Sequence, residues 1–274
     1  MNPREQLNAY DIQPRKTLGQ NFMHDPNTLE KLVSTAEIMP EDVVVEIGPG
    51  TGALTAKLAE VARHVMAIEL DDRLMPLLED RFSGTPNVYF VWKDVLQTDI
   101  LSLVGTKPYR VVANVPYYIT GRILWHVLNV HHRPRNVVIT MQYEVAERLT
   151  AEPGNMSIPA VMVQYYGKPR IVTRLKPAVF WPRPEINSAI LQIDTYDTLP
   201  VTVSDEALFF RIVKAGFSQK RKQLRNSLSG GLQIKGKVAK QYLDKADIDS
   251  KRRAETLHIE EWARLTEVVA AQSK

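Results

Sequence analysis

The sequence predicts an α/β fold, a seven-stranded sheet covered by helices on both faces and followed by a small all-α C-terminal domain. Three observations carry this. Short apolar, β-branched runs alternate with segments of helical period as far as residue 194, a glycine-rich turn follows the first of those runs, and beyond Pro200 no strand-like run recurs.

Strands are expected at 43–47 (Val-Val-Val-Glu-Ile), 64–69 (His-Val-Met-Ala-Ile-Glu), 88–92, 110–114, 136–141, 171–175 and 188–193. Between them Leu54, Leu58 and Val61, then Leu74, Leu77 and Leu78, then Ile123, Leu124, Val127 and Leu128 recur at helical spacing and supply covering helices. Gly167-Lys168-Pro169 and the prolines from 177 to 184 bracket one strand, and no crossover helix fits after Lys176. The last pair is therefore expected to form an antiparallel, hairpin-like edge. Thr195-Tyr196-Asp197-Thr198-Leu199-Pro200 reads as a linker between a domain of residues 1–195 and a helical one of 204–274. In the second, helices are expected at 205–216 behind a Ser204 cap, at 221–228, 236–243 and 259–271, separated by Gly216, Gly230-Gly231 and the charged turn from Asp247 to Arg253.

Of the 274 residues 44% are hydrophobic and 24% charged, the balance of a globular chain. No apolar run approaches the ~18 residues that span a bilayer, and Met1-Asn2-Pro3-Arg4-Glu5 has no apolar signal region, so a cytoplasmic protein is expected. The absence of cysteine excludes disulfides, thiolate metal ligands and methyl transfer through a cysteine adduct, and no metal site is expected. The net charge of +4 is uneven: residues 205–274 hold 15 Lys and Arg against 9 Asp and Glu, and the remainder 20 against 22. A basic C-terminal part suggests a surface for a polyanion, and a solvated basic helix face explains it equally well.

The first strand ends in Glu46-Ile47-Gly48-Pro49-Gly50-Thr51-Gly52 and runs into a helix. Glycines there let the backbone approach a ligand at the carboxyl edge of the sheet. Glu69, nineteen residues past Gly50, falls at the end of the second strand, where a carboxylate can accept both hydroxyls of a ribose. A dinucleotide site carries Gly-x-Gly-x-x-Gly, whereas the spacing here is Gly-x-Gly-x-Gly, and the acidic Glu46 suits an ammonium group better than a phosphate. Both points favour S-adenosylmethionine over a nicotinamide cofactor. Asp94, at the end of the third strand, is placed to accept from the adenine amine of that cofactor. The fourth strand ends in Asn114-Val115-Pro116-Tyr117. Alone this is an ordinary turn. After three other strand ends suited to a nucleoside cofactor, it reads as a nucleobase-methylating site: an amide for an amine on the ring edge, a proline-fixed turn, and an aromatic ring for the face. The amine would donate to the Asn114 side chain and to a backbone carbonyl at Val115 or Pro116, localising a lone pair that is otherwise delocalised into the ring.

With these features the chain resembles the small-subunit ribosomal RNA adenine dimethyltransferase family almost end to end. Lys16-Thr17-Leu18-Gly19-Gln20-Asn21-Phe22 is similar to that family's cofactor-covering motif within an N-terminal segment of residues 1–35, and Glu46 to Thr55 to its glycine loop. Gln142 with Glu144 to Leu149, Phe180-Trp181-Pro182-Arg183-Pro184 with Ser188-Ala189, Arg221 to Asn226 and Arg252 to Leu257 are similar to its later motifs. Tyr143, where a basic residue is usual, and Asn155 to Ala160 depart from the pattern.

The resemblance implies a Rossmann-like class I methyltransferase sheet and transfer from S-adenosylmethionine to the N6 amine of adenosines. The implied targets are two adjacent adenosines in the 3'-terminal hairpin loop of small-subunit (16S) rRNA, dimethylated during ribosome assembly by a monomer. Together with the strand ends it implies cofactor contacts from Gln20, Asn21, Met23, Glu46, Gly48, Gly50, Glu69, Leu70, Asp94, Val95 and Asn114, and catalysis by Asn114, Pro116, Tyr117 and Phe180. Tyr117 would stack on the target base and Phe180 would cover its other face, core packing beside Trp181 being the alternative for Phe180. Lys220, Arg221, Lys222 and Arg225, expected on one short helix, and Arg252 and Arg253 are suited to RNA phosphates. The Erm group, which methylates a large-subunit rRNA adenine, is the nearest alternative, and the mitochondrial transcription-factor branch is more distant. Among other classes of function, a non-catalytic ribosome-assembly factor using the same fold comes second and a nicotinamide-dependent oxidoreductase a distant third.

Overall fold

The computed structural model describes residues 2–272, and of Lys16 the backbone alone. The ends of the two expected domains, Met1, Ser273 and Lys274, lie outside the described residues. Seven strands form the main sheet: β1 (Val43–Ile47), β2 (His64–Glu69), β3 (Val88–Trp92), β4 (Tyr109–Asn114), β5 (Asn136–Gln142), β6 (Gly167–Leu175) and β7 (Ser188–Thr195). Their order is β3-β2-β1-β4-β5-β7-β6. The first five are parallel, and β7 runs antiparallel to β5, with Asn136 opposite Asp194 and Gln142 opposite Ser188.

Every residue of β1 is buried, as are all of β4 and β5 except their last residues. Central parallel strands covered on both faces must be apolar without alternation, which is why Val43-Val44-Val45 and Val137-Val138-Ile139 are unbroken β-branched runs. β6 starts four residues before the expected 171 and includes Pro169. As the outermost strand it tolerates a residue that cannot donate to a ladder.

Helices Ala53–Ala59, Met75–Arg81 and Thr120–Leu128 occupy the segments of helical period. Helix Pro26–Ala36 precedes them, capped by Asp25, whose carboxylate accepts from the Thr28 amide at 2.8 Å and the Thr28 hydroxyl at 2.6 Å. Its Leu29, Leu32 and Ala36 join Val44, Val65, Val112 and Val138 in the main core. A second, two-stranded sheet pairs Phe22 with Trp181 and Met23 with Phe180, tying the N-terminal segment to the loop after β6.

The chain divides into two compact units, residues 1–146 with 168–195, and residues 147–167 with 196–274. The segment 147–167, expected in the first domain, thus belongs to the helical unit. Its helix Ile158–Tyr166 is buried at six of nine positions, so it has no polar face from which a helical period could be read. The Tyr165 ring lies 4.8 Å from Phe209, the Tyr166 hydroxyl donates to Glu206, and the Gly154 amide donates to the Glu255 carbonyl.

The remaining helices of this unit are Glu206–Gly216, Leu224–Leu232, Gly236–Lys245 and Ile259–Gln272. Asp205, rather than Ser204, caps the first, accepting from the Leu208 amide at 2.9 Å. Gly230 and Gly231 do not separate helices: both lie inside Leu224–Leu232. A Cβ at Gly231 would fall 2.5 Å from the Ala215 Cα, so the missing side chain permits close helix packing.

Candidate functional site

Strand order reverses between β1 and β4, and in an open α/β sheet a ligand sits at that reversal, outside the carboxyl ends of the strands. Gly48 and Gly50, in the loop after β1, have φ of +76° and +58°. A Cβ on Gly48 would come 3.2 Å from the Asn114 carbonyl oxygen, and one on Gly50 would come 2.8 Å from the Phe22 ring. The loop therefore passes between the end of β4 and the N-terminal segment only because it lacks side chains there.

One pocket opens at this point. Gln20, Asn21, Met23, Gly48, Gly50, Glu69, Leu70, Asp94, Val95, Asn114, Pro116, Tyr117 and Phe180 all line it, with Leu18, Ile68, Tyr118 and Ile119. The Glu69 carboxylate, at the end of β2, accepts from the backbone amides of Gly50 at 3.2 Å and of Leu70 and Asp71 at 2.9 Å each. Burial pushes its pKa up, and those three amides oppose the shift. Asp94 caps the turn after β3, taking the Leu96 amide on Oδ1 at 2.9 Å. Gln20 does more than line the wall: its amide donates to Asp71 at 2.7 Å, and Asp71 is also held by Arg73 at 2.5 Å. This link from Asp71 fastens the N-terminal segment to the end of β2, and no sequence motif announces it.

Glu46 corrects an expectation. It does not line the pocket, although Ile47, the next residue of β1, does. Adjacency to the glycine loop in sequence does not bring Glu46 to the ligand, because its side chain is buried inside the fold. Its carboxylate is wholly buried, and among the described residues neither oxygen has a hydrogen-bond partner, nor does the Thr55 hydroxyl. Burial pushes its pKa up to about 8, Glu69 adds to the shift, and Arg81 opposes it. A neutral acid away from the pocket does not fit the ammonium partner expected at this residue.

At the end of β4, the Asn114 Oδ1 accepts from the Thr140 hydroxyl at 2.6 Å and its Nδ2 donates to the Asn21 carbonyl at 3.3 Å. The Tyr117 hydroxyl is 2.7 Å from Ser188 Oγ. Burial raises the Tyr117 pKa, keeping that hydroxyl protonated, against the opposing hydrogen bond from Ser188. The Pro116 carbonyl already accepts from the Ile119 amide at 3.3 Å and the Thr120 hydroxyl at 3.4 Å. Phe180 is 1% exposed: it packs in the main core with Met23 and Leu175 while one side faces the pocket. Thr140 was missed from sequence because a lone Thr in an apolar strand carries no signal of what it faces, and Ser188 stood in a motif of the family resemblance with no partner assigned to it.

The pocket fits S-adenosylmethionine in its donors and acceptors. It offers an anchored carboxylate for a ribose, a carboxylate for an adenine amine, apolar walls from Ile68, Leu70 and Val95, and a loop without side chains.

The basic residues belong to the helical unit. Lys220, Arg221 and Lys222 are exposed, but they occupy the turn before helix Leu224–Leu232 instead of the expected helix over 221–228. Arg225 is half-buried. Arg252 departs from expectation: it forms a two-pronged ion pair with Glu261 and donates to the Thr256 carbonyl at 2.6 Å, so its charge is committed within the fold. Arg253 is more exposed and lies 3.7 Å from Glu255. Among the described residues no group of side chains could hold a metal ion, and no helix is long and apolar enough to cross a membrane.

A mostly parallel sheet with β7 slotted antiparallel between β5 and β6, and its pocket at the β1/β4 reversal, is the Rossmann-like class I methyltransferase fold, whose cofactor is S-adenosylmethionine. The family model described as ribosomal RNA adenine dimethylase matches residues 12–271. The chain belongs to that family and is an S-adenosylmethionine-dependent rRNA adenine dimethyltransferase. It is similar to ribosomal RNA small subunit methyltransferase A of Dehalococcoides mccartyi (strain CBDB1), 40% identical over 263 residues that cover 96% of this chain and 90% of the relative. With the protein of the same name from Alkaliphilus metalliredigens (strain QYMF) it shares 42% identity over 273 residues, covering 97% and 95%. Among solved structures it is similar to the 23S rRNA methyltransferase ErmE, with a TM-score of 0.72 and 27% identity over 91% of this chain and 100% of that one.

Proposed function

We propose that the substrate is 16S rRNA in assembling small subunits, and that the enzyme dimethylates two adjacent adenosines of the 3'-terminal hairpin loop there, acting as a cytoplasmic monomer. The names of the two relatives near 40% identity support the small subunit over the large-subunit substrate in the name of ErmE, which is 27% identical. The observation that carries the base-reading role is the Asn114 amide, held at the pocket wall with a hydrogen bond on each of its two ends. A binder without chemistry needs no such oriented amide.

Gln20, Asn21 and Met23 cover the cofactor in this reading, Glu69 takes the ribose hydroxyls, Asp94 the adenine amine, and Gly48 and Gly50 let the backbone approach. The bound cofactor supplies an electrophilic sulfonium methyl. Asn114 Oδ1 and a backbone carbonyl accept the two hydrogens of the target amine, which localises its lone pair. Two donors already occupy the Pro116 carbonyl, so the second acceptor is Val115. Tyr117 stacks on the base and Phe180 closes the far wall, and base–aromatic stacking of ~1–3 kcal/mol offsets the cost of extruding the adenosine. Catalysis rests on positioning: holding the reacting atoms roughly 3–3.5 Å apart supplies several kcal/mol. No strong base is required, because the nitrogen becomes acidic only as it gains the methyl and then releases its proton to solvent. Lys220, Arg221, Lys222, Arg225 and Arg253 contact RNA phosphates.

Mass spectrometry of rRNA from a strain lacking the protein tests the substrate: loss of dimethyladenosine from the 3' end of 16S rRNA is expected, and an intact modification there refutes it. Asn114→Ala is expected to abolish transfer to undermethylated small subunits while calorimetry shows cofactor affinity within a few-fold of wild type. Wild-type turnover in that variant would sink the role of Asn114.

A further inference from the structure

Thr140 is the residue of β5 opposite Asn114 in the parallel β4–β5 register, and opposite Ile190 in the antiparallel β5–β7 register. Val112, Val138 and Ile190 are all buried in the main core, so a β-branched aliphatic is what packing favours along this part of the sheet. Threonine has the shape of valine with one methyl exchanged for a hydroxyl, and burying a hydroxyl is unfavourable unless it is bonded. Thr140 is wholly buried, and its hydroxyl donates to Asn114 Oδ1 at 2.6 Å.

The direction of that bond follows from the other end of the amide. Asn114 Nδ2 faces the Asn21 carbonyl at 3.3 Å, and a carbonyl only accepts, so the nitrogen belongs there and the oxygen toward Thr140. Turned over, the amide would set oxygen against oxygen at Asn21. A carbonyl oxygen has two lone pairs, and Thr140 uses one. We propose that Thr140 is a positioning residue that locks the Asn114 amide with its remaining acceptor site toward an amine, so that adenine, which donates at that edge, is read in preference to a base carrying a keto oxygen there. This rests on Asn114 being the amine acceptor.

Steady-state kinetics on undermethylated small subunits with Thr140→Val, Thr140→Ala, Thr140→Ser and Asn114→Ala tests it. Both variants without the hydroxyl are expected to lose kcat by about tenfold, the scale of one lost hydrogen bond, with KM and cofactor affinity within about threefold. Thr140→Ser, which keeps the donor and discards the methyl, is expected to restore kcat to within about threefold of wild type. Because two hydroxyl-free variants of different volume are compared with one that retains it, a packing defect in either does not mimic the pattern. Wild-type kcat in Thr140→Val, or Thr140→Ser as slow as Thr140→Ala, overturns the positioning role while leaving Asn114 in place. Full turnover in Asn114→Ala overturns the reading of Asn114 itself.

Discussion

The Tyr117 hydroxyl lies 2.7 Å from Ser188 Oγ, which joins the loop after β4 to the first residue of β7. Ser188 is wholly buried and Tyr117 half-buried, so the tyrosine ring is fixed from its far end while Tyr117 lines the pocket. Ser188→Ala and Tyr117→Phe are each expected to lower kcat about three- to tenfold, without change in cofactor affinity, because the ring proposed to stack on the target base loses its tether. The double variant should be no slower than either single one. Rates that multiply in the double variant would show that the two hydroxyls act separately.

Glu46 makes stability depend on pH. In the unfolded chain it titrates as an ordinary carboxylic acid, whereas burial in the fold pushes its pKa up to about 8. Between those values the unfolded state binds fewer protons than the folded one, so stability falls as pH rises. Glu46→Gln keeps the shape and removes the titration. In urea unfolding its midpoint relative to wild type should rise from about pH 5 to about pH 8. A difference that does not vary with pH would mean that the folded protein holds Glu46 ionised.

Arg110 and Asp42 form a buried ion pair at 2.6 Å, joining the start of β4 to the turn before β1, and Arg110 also donates to the Ala36 carbonyl at 2.7 Å. Arg110→Ala leaves the Asp42 charge buried and uncompensated, a loss of about 3–5 kcal/mol. Denaturant unfolding at neutral pH measures this. Replacing both partners with apolar residues of similar volume should be less damaging than removing Arg110 alone.

The two groups of basic residues should separate by experiment. Replacing Lys220, Arg221 and Lys222 with Gln is expected to weaken RNA binding and to flatten its log-log salt dependence by about one unit for each phosphate that is no longer neutralised, with the melting temperature unchanged. Arg252→Gln should instead lower the melting temperature, since it breaks the pair with Glu261. An unaltered salt slope in the triple variant would remove these residues from the RNA surface.

The positions of Glu69, Asp94 and Asn114 could be read from sequence because each lies at or just past the carboxyl end of a parallel strand, and every parallel strand of such a sheet delivers that end to the same edge. Glu46 was misplaced by the same proximity argument. It lies two residues before Gly48, yet its carboxylate is wholly buried and does not line the pocket. Arg252 looked free because its partner Glu261 lies nine residues away on the following helix. The burial of residues 158–166 hid their helix, and the membership of 147–167 in the helical unit depends on aromatic contacts with residues beyond 200.

By itself the sequence determined the order of the parallel strands' apolar runs, the glycine loop and the polar residues at the strand ends, since these are set by local periodicity and by which residues a turn admits. The tertiary structure decided what each polar group faces. Thr140 and Asn114, 26 residues apart in the chain, meet because β4 and β5 pair in register, and Tyr117 meets Ser188 because β7 enters the sheet beside β5. A hydrogen bond depends on distance and direction in space, and strands far apart in sequence acquire these only when the sheet closes.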